Sequence, residues 1–261
     1  MPASYAHYCF GQAVVSQLPS RPRGVIQSHR ELYDIGLHGP DIFFYHRPLL
    51  PNHVRRLGVS MHRLSGKQVF RQFLALWRQN GRDEAALAYL YGFLCHFSLD
   101  STCHAYVEEM VGRGLSHSQQ EMELDRALLV RGGLDPVGQD LVAHIRPTAA
   151  NARAIAPLFP TLSQQEVQRA LSGTVFYHHL LMAPGQPKRL LLKTAAFLTG
   201  QSRLIGDMVM SRSPSPQCRP AVERLLALYS QAIPLAAGLI GAFPALDDPR
   251  LLLNFKGRSQ G

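Results

Sequence analysis

Between residues 65 and 79 the apolar side chains Val69, Phe70, Phe73, Leu74 and Trp77 recur at spacings of three and four, the stripe of an amphipathic helix. A longer apolar run follows. Residues 83–111 hold AALAYLYGFLCHFSL and then HAYVEEM with no proline, and read as one long helix or two nearly collinear ones. Residues 116–130 open with a serine suited to N-capping and stop before Gly132 and Gly133. Further helices fit residues 163–181, 187–198 and 221–243, and proline-rich breaks at 147, 157–160, 184–187 and 214–220 separate them. There is no alternating strand pattern of useful length and no internal repeat. The pattern predicts an all-α fold, and 261 residues lie near the upper size for one hydrophobic core, so a single multi-helix domain over 1–261 is expected. Residues 225–243 have the length to cross a bilayer, but they carry Ser230, Gln231 and Pro234 and stand alone, so they read as a buried core helix.

The polar exceptions inside the apolar run change the picture. His96, Asp100 and His104 recur every four residues and so project from one helix face on successive turns. A charged Asp is costly in such a setting unless it is paired or bound to a metal, and imidazole and carboxylate are the ligands of zinc where thiolate is absent. The next helix begins with His117 and Glu121, again four apart, after a short connection containing Gly112 and Gly114. Tight packing of the two helices would bring His104 near His117. A lone HxxxD is more often a hydrogen-bonded core pair; HxxxDxxxH followed by HxxxE favours a metal site. Upstream lie His7, His29, His38, Asp41, His46, His53 and His62, about half of them expected to be bland. Asp41, in the turn sequence GPD, either caps the following segment or enters the site.

Composition adds less. The chain has 27 Lys and Arg against 18 Asp and Glu, a formal +9 that favours anionic partners such as phosphates, nucleic acids or lipid headgroups, although the charges are scattered singly. The four cysteines show no CxxC spacing, which argues against a disulfide framework or a zinc ribbon. The first residues, MPASYAHYCFGQAVV, lack the features of a secretory signal, so a cytoplasmic location is expected.

The segments MPASYAHYCFG, LYDIGLHGPDIFFYH, YGFLCHFSLDSTCHAYV and HSQQEMELDR, within the first 130 residues, resemble the zinc-dependent phospholipase C family of bacteria. That family is all-helical, binds three zinc ions in a cleft and is related in architecture to secreted single-strand nucleases. The resemblance implies one zinc held by Asp41, His62, His96 and Asp100, a second by His104, His117 and Glu121, and a third by His7, a bridging Asp100 and the terminal amine. Three features differ from the family pattern. Its chemically characterised members expose an N-terminal tryptophan, whereas this chain begins with Met1 and Pro2, so the Pro2 amine would have to serve after loss of Met1. The Asp100–His104 spacing is shorter and the loop between Asp41 and His62 longer, which leaves His46 as an alternative to His62.

The implied chemistry is hydrolysis of a phosphate ester by metal-activated water, with two or three Zn²⁺ as cofactor and Asp41 orienting or deprotonating the water. A phospholipid headgroup or another phosphodiester would be the substrate, with peripheral membrane contact as a corollary. Nucleic acid is the weaker partner, because a single-strand nuclease would need stacking platforms, for which Tyr33, Phe43, Phe44 and Tyr45 are the candidates, and such residues are more often core. The competing class is a non-catalytic helical protein with one closed structural zinc. Beyond residue 130 no ligand cluster stands out: His144, His178 and His179 read as structural or surface residues, and the closing LLNFKG segment as packing the C-terminus against the body.

Overall fold

The computed structural model describes residues 4–198, 200 and 202–259, and among these the chain is built of helices. In order they are α1 (Ser4–Gln17), α2 (Ser20–Ser28), α3 (Arg30–Gly36), α4 (His53–Met61), α5 (Gly66–Gln79), α6 (Glu84–Gly112), α7 (His117–Arg131), α8 (Ala149–Ile155), α9 (Gln164–Leu181), α10 (Gln186–Leu198), α11 (Ser202–Met208) and α12 (Arg219–Ala242), with a 3-10 helix Gly39–Tyr45 between α3 and α4. Extended pairing among the described residues is limited to the isolated bridges Ser65–Asn254 and Leu253–Ser259. The expected all-α fold is observed.

The run 83–111 forms one continuous helix, α6, started by Asp83, whose carboxylate accepts from the amides of Ala85 and Ala86 and so satisfies two of the four orphan donors. From residue 86 to 100 every side chain of α6 is buried, the signature of a helix enclosed on all sides rather than laid on a surface. α1, α2, α3, α5 and α12 pack around it. The closest approach is between α3 and α6: a Cβ at Gly36 would lie 2.2 Å from the Tyr89 carbonyl, and one at Gly92 would lie 2.2 Å from the Tyr33 carbonyl. Only glycine at both places lets the two backbones touch, and this fixes how the Gly39–Tyr45 helix is delivered over α6.

α5 begins with Ser65 and Gln68 in a reciprocal capping box, and its stripe of Val69, Phe70, Phe73 and Leu74 is buried as its spacing predicts. Ser116 does occupy the N-cap position of α7, but its side chain makes no cap hydrogen bond. α12 belongs to the stretch Pro216–Ala242, which is long and apolar enough to cross a membrane by length and composition. Its residues divide by face, however. Leu225, Leu228, Tyr229, Ala232, Ala236 and Leu239 are buried, while Glu223, Arg224, Ser230 and Gln231 are exposed, so the helix is laid against α1, α6 and α7 as a core element. All four cysteine thiols are free.

After α12 the chain returns as a strap. The Gly66 amide donates to the Leu253 carbonyl at 2.8 Å and the Asn254 amide to the Arg258 carbonyl at 2.9 Å, and Phe255 is fully buried against Phe93, Phe97, His62 and His96. LLNFKG thus does more than close the C-terminus: it forms one wall of the cluster described next.

Candidate metal centre

α6 carries His96, Asp100 and His104 down one face, and neighbouring elements bring the other candidates to them. α1 contributes His7, whose Nε2 lies 3.2 Å from Asp100 Oδ1, with the imidazole stacked on His96 at 4.4 Å between centroids. The 3-10 helix contributes Asp41 and the end of α4 contributes His62: His62 Nε2 lies 3.0 Å from Asp41 Oδ1 and 4.0 Å from Asp100 Oδ2. His96 Nε2 is 3.1 Å from Asp100 Oδ2 and 3.9 Å from Asp41 Oδ2. α7 contributes His117 and Glu121. Glu121 Oε1 lies 3.1 Å from His117 Nε2 and 3.2 Å from His104 Nε2, and the His104 and His117 rings come within 5.4 Å. All eight residues singled out from the sequence therefore fall into three adjoining groups: His7, His96 and Asp100; Asp41, His62 and His96; His104, His117 and Glu121.

His46 is not brought to these groups. Its Nδ1 lies 3.3 Å from Asn52 Oδ1, and its ring is buried away from the cluster. His53 is exposed and pairs with Glu166, and His38 stacks on His144 with 2.7 Å between their Nε2 atoms. Of the aromatics considered as stacking platforms, Tyr33, Phe43 and Tyr45 are core residues; Phe44 alone reaches the site, stacked on His62. Met1 and Pro2, with the terminal amine expected to hold a third ion, lie outside the described residues.

The imidazoles are aimed by main-chain carbonyls. Nδ1 of His62 donates to Gly58 at 2.8 Å, Nδ1 of His96 to Leu37 at 3.2 Å and Nδ1 of His104 to Phe255 at 3.0 Å, so in each ring Nε2 faces the carboxylates. This is the usual support of a metal-binding histidine, because it fixes both tautomer and ring orientation. Gly39 belongs to the same support: it sits at φ +50°, and a Cβ there would lie 2.3 Å from His96 Cδ2.

Sequence reasoning missed these supports. The Phe255 carbonyl meets His104 across 151 residues, and Leu37 meets His96 across 59, with no local motif to announce either. It also missed Asp125, whose buried carboxylate accepts from the amides of Ala6 at 2.7 Å and Tyr5 at 3.2 Å and so holds the start of α1, and hence His7, in place.

The electrostatics are those of a negative cage. Burial works to raise the Asp100 carboxyl, but His104 and His96 overcome it and hold the group well below the usual carboxylate range. Burial likewise opposes ionisation of Glu121, and His117 and His104 bring it down. Burial works to lower His104, but Asp100 and Glu121 prevail and push it up to about 10; His62 is raised in the same way by Asp41. Yet the buried atoms His96 Nε2, Asp100 Oδ2 and His7 Nδ1 make no hydrogen bond. Buried polar groups are rarely left so, and a lone pair facing a lone pair is satisfied by a cation between them. Tetrahedral zinc with ligands at about 2.1 Å separates its donors by about 3.4 Å, close to the 3.0–3.9 Å spacings above. The donor set therefore fits zinc.

A cavity of about 260 Å³ opens on the cluster, lined by Asp41, His62, His104, His117 and Glu121 together with Phe44, Val59, Arg63 and Lys256. Lys256 arrives on the C-terminal strap and pairs with Glu108 at 3.4 Å. The site is thus a carboxylate–imidazole cage open on one side, with two cationic side chains at its mouth.

Helices enclosing such a cage define a class of helical metal-dependent proteins. Within it, the family model for zinc-dependent phospholipase C matches residues 6–172, most of the chain, and the chain belongs to that family. No curated protein and no solved structure gives a match. The match ends within α9, so α10, α11, α12 and the strap with Phe255 and Lys256 lie beyond it.

Proposed function

We propose that the chain is a zinc-dependent phosphoric ester hydrolase acting on a phospholipid or another phosphodiester. The observation that carries this is the open cage itself: eight imidazole and carboxylate side chains in three adjoining groups, three of the imidazoles aimed by main-chain carbonyls. Asp41, His62, His96 and Asp100 would hold one ion and His104, His117 and Glu121 a second. His7 with Asp100 would contribute to a third. Zinc bound there would supply a water of pKa about 7 and neutralise charge on phosphoryl oxygens. Asp41 lines the cavity, so its carboxylate would both hold an ion and reach the substrate, and is assigned to orienting the attacking water and taking its proton. Arg63 and Lys256 hold the phosphate oxygens at the mouth, and Phe44 forms the apolar wall.

A closed structural zinc would leave no such opening, which favours the hydrolase over the non-catalytic reading. The test is hydrolysis of a chromogenic phosphodiester and of phosphatidylcholine by zinc-loaded protein, with and without chelator. Hydrolysis that chelator abolishes is expected, with Asp41→Asn lowering kcat by about two to four orders of magnitude. Zinc-loaded protein that hydrolyses no diester would overturn the proposal.

A further inference from the structure

α10 carries more apolar side chain than folding uses. Its 13 residues, QPKRLLLKTAAFL, bury only Ala196, and Leu190 and Leu191 are each 68% exposed, Phe197 76% and Leu198 78%. At 3.6 residues per turn Phe197, Leu190, Leu198 and Leu191 fall within an arc of about 120°, one outward stripe. The other side of the helix faces α11 across a groove lined by Leu192, Ala196, Ile205 and Val209, with Arg189, Lys193 and the stripe's own Phe197 along its edge. Other exposed apolar side chains, such as Leu49, Leu50 and Phe176, lie elsewhere on the chain, but α10 sets four of them on one helix face, and a contiguous stripe of this kind marks a binding face.

Charge says what covers it. The helix has three cations, Lys188, Arg189 and Lys193, and no carboxylate. Lys193 is exposed beside the stripe, Lys188 donates to the His179 carbonyl at 2.8 Å and Arg189 donates to the Met210 carbonyl, so that among the described residues their partners are neutral. Pairing with a second copy through this face would set the same cationic rims against one another in a chain of formal charge +9. An anionic bilayer answers both features, since apolar side chains enter the acyl boundary while lysine and arginine meet headgroup phosphates. We propose that α10 is an interfacial helix that docks the protein on an anionic lipid surface, with Leu190, Leu191, Phe197 and Leu198 inserted. The choice of lipid rests in part on the phosphodiesterase reading above.

The test is sedimentation of the zinc-loaded full chain with vesicles of phosphatidylglycerol and phosphatidylcholine in equal parts, or of phosphatidylcholine alone, with released headgroup phosphate measured in the same samples so that binding is scored apart from hydrolysis. Wild-type protein is expected to sediment with the anionic vesicles and to be released by salt. Leu191→Ser with Leu198→Ser, both exposed, should weaken partition about a hundredfold and Lys193→Glu about tenfold. Zinc-loaded variants should hydrolyse a soluble chromogenic diester at the wild-type rate. Absence of wild-type binding, or equal binding by the double variant, would overturn the proposal, as would a wild-type dimer that the double variant dissolves. Vesicle binding lost in the variants without diester hydrolysis by any of the proteins would uphold the lipid surface and overturn the hydrolase.

Discussion

Asp100 touches more of the cluster than any other residue, and its replacement has a calculable effect. Its Oδ1 lies 3.2 Å from His7, and its Oδ2 lies 3.1, 3.6 and 4.0 Å from His96, His104 and His62. At an effective dielectric of about 20, two unit charges about 3 Å apart attract by about 5 kcal/mol. Each 1.4 kcal/mol is tenfold in affinity, so Asp100→Asn, which keeps the shape and one acceptor oxygen, should weaken metal binding by about three to four orders of magnitude. The assay is elemental analysis after dialysis against a weak chelator, followed by titration with zinc in competition with a chromophoric chelator. Circular dichroism of the metal-free variant controls for folding. The variant should lose at least one ion that the wild type retains. Full zinc content at wild-type affinity would refute the bridging role.

Three further outcomes follow from the same geometry. Gly39→Ala forces a left-handed residue and a Cβ against His96, so it should cost about 1–2 kcal/mol of stability and lower zinc content together; a fully loaded variant of unchanged melting temperature would contradict this. His104 is raised to about 10, so without metal its stabilising contribution is complete below about pH 6.5 and lost as pH rises through 10. Zinc must displace that proton, so affinity should rise about tenfold per pH unit from 7 to 9, with proton release seen by calorimetry in two buffers. A pH-independent affinity would count against His104 as a ligand. Asp125 is raised to about 7 by burial, against the amides of Ala6 and Tyr5 that favour its charged form, so it stabilises the fold fully below about pH 4 and that contribution is lost as pH rises through 7. In metal-free protein, Asp125→Asn should gain stability relative to wild type by up to about 4 kcal/mol between pH 4 and 8; a pH-independent difference would sink this reading.

The sequence was most legible where the chemistry is local. The four-residue spacings of His96, Asp100 and His104, and of His117 and Glu121, put donors on one face of a helix whatever the rest of the chain does, and α5, α6, α7, α9, α10 and α12 could be placed from periodicity, caps and breakers. α1 to α4 were not placed, although α1 buries Ala6, Phe10 and Val14 at four-residue spacing. What shapes them is tertiary, as in the Gly36–Gly92 crossing, which no local pattern announces. His7, Asp41 and His62 came from a family resemblance rather than from spacing, and the structure sets them beside His96 and Asp100. The Phe255 carbonyl, Lys256 and Asp125 were illegible for a different reason. Their partners lie about 120 to 150 residues away, and a carbonyl acceptor leaves no trace in residue identity. α10 was placed as a helix, but only its exposure shows that its leucines do not serve the core.

The most direct measurement is an anomalous difference map collected at the zinc absorption edge from crystals of the zinc-loaded protein. The expected result is separate peaks within bonding distance of Asp41, His62 and His96 and of His104, His117 and Glu121, with Asp100 beside the first. Anomalous density elsewhere, or none in the cage of a protein that elemental analysis shows to hold zinc, would contradict the assignment.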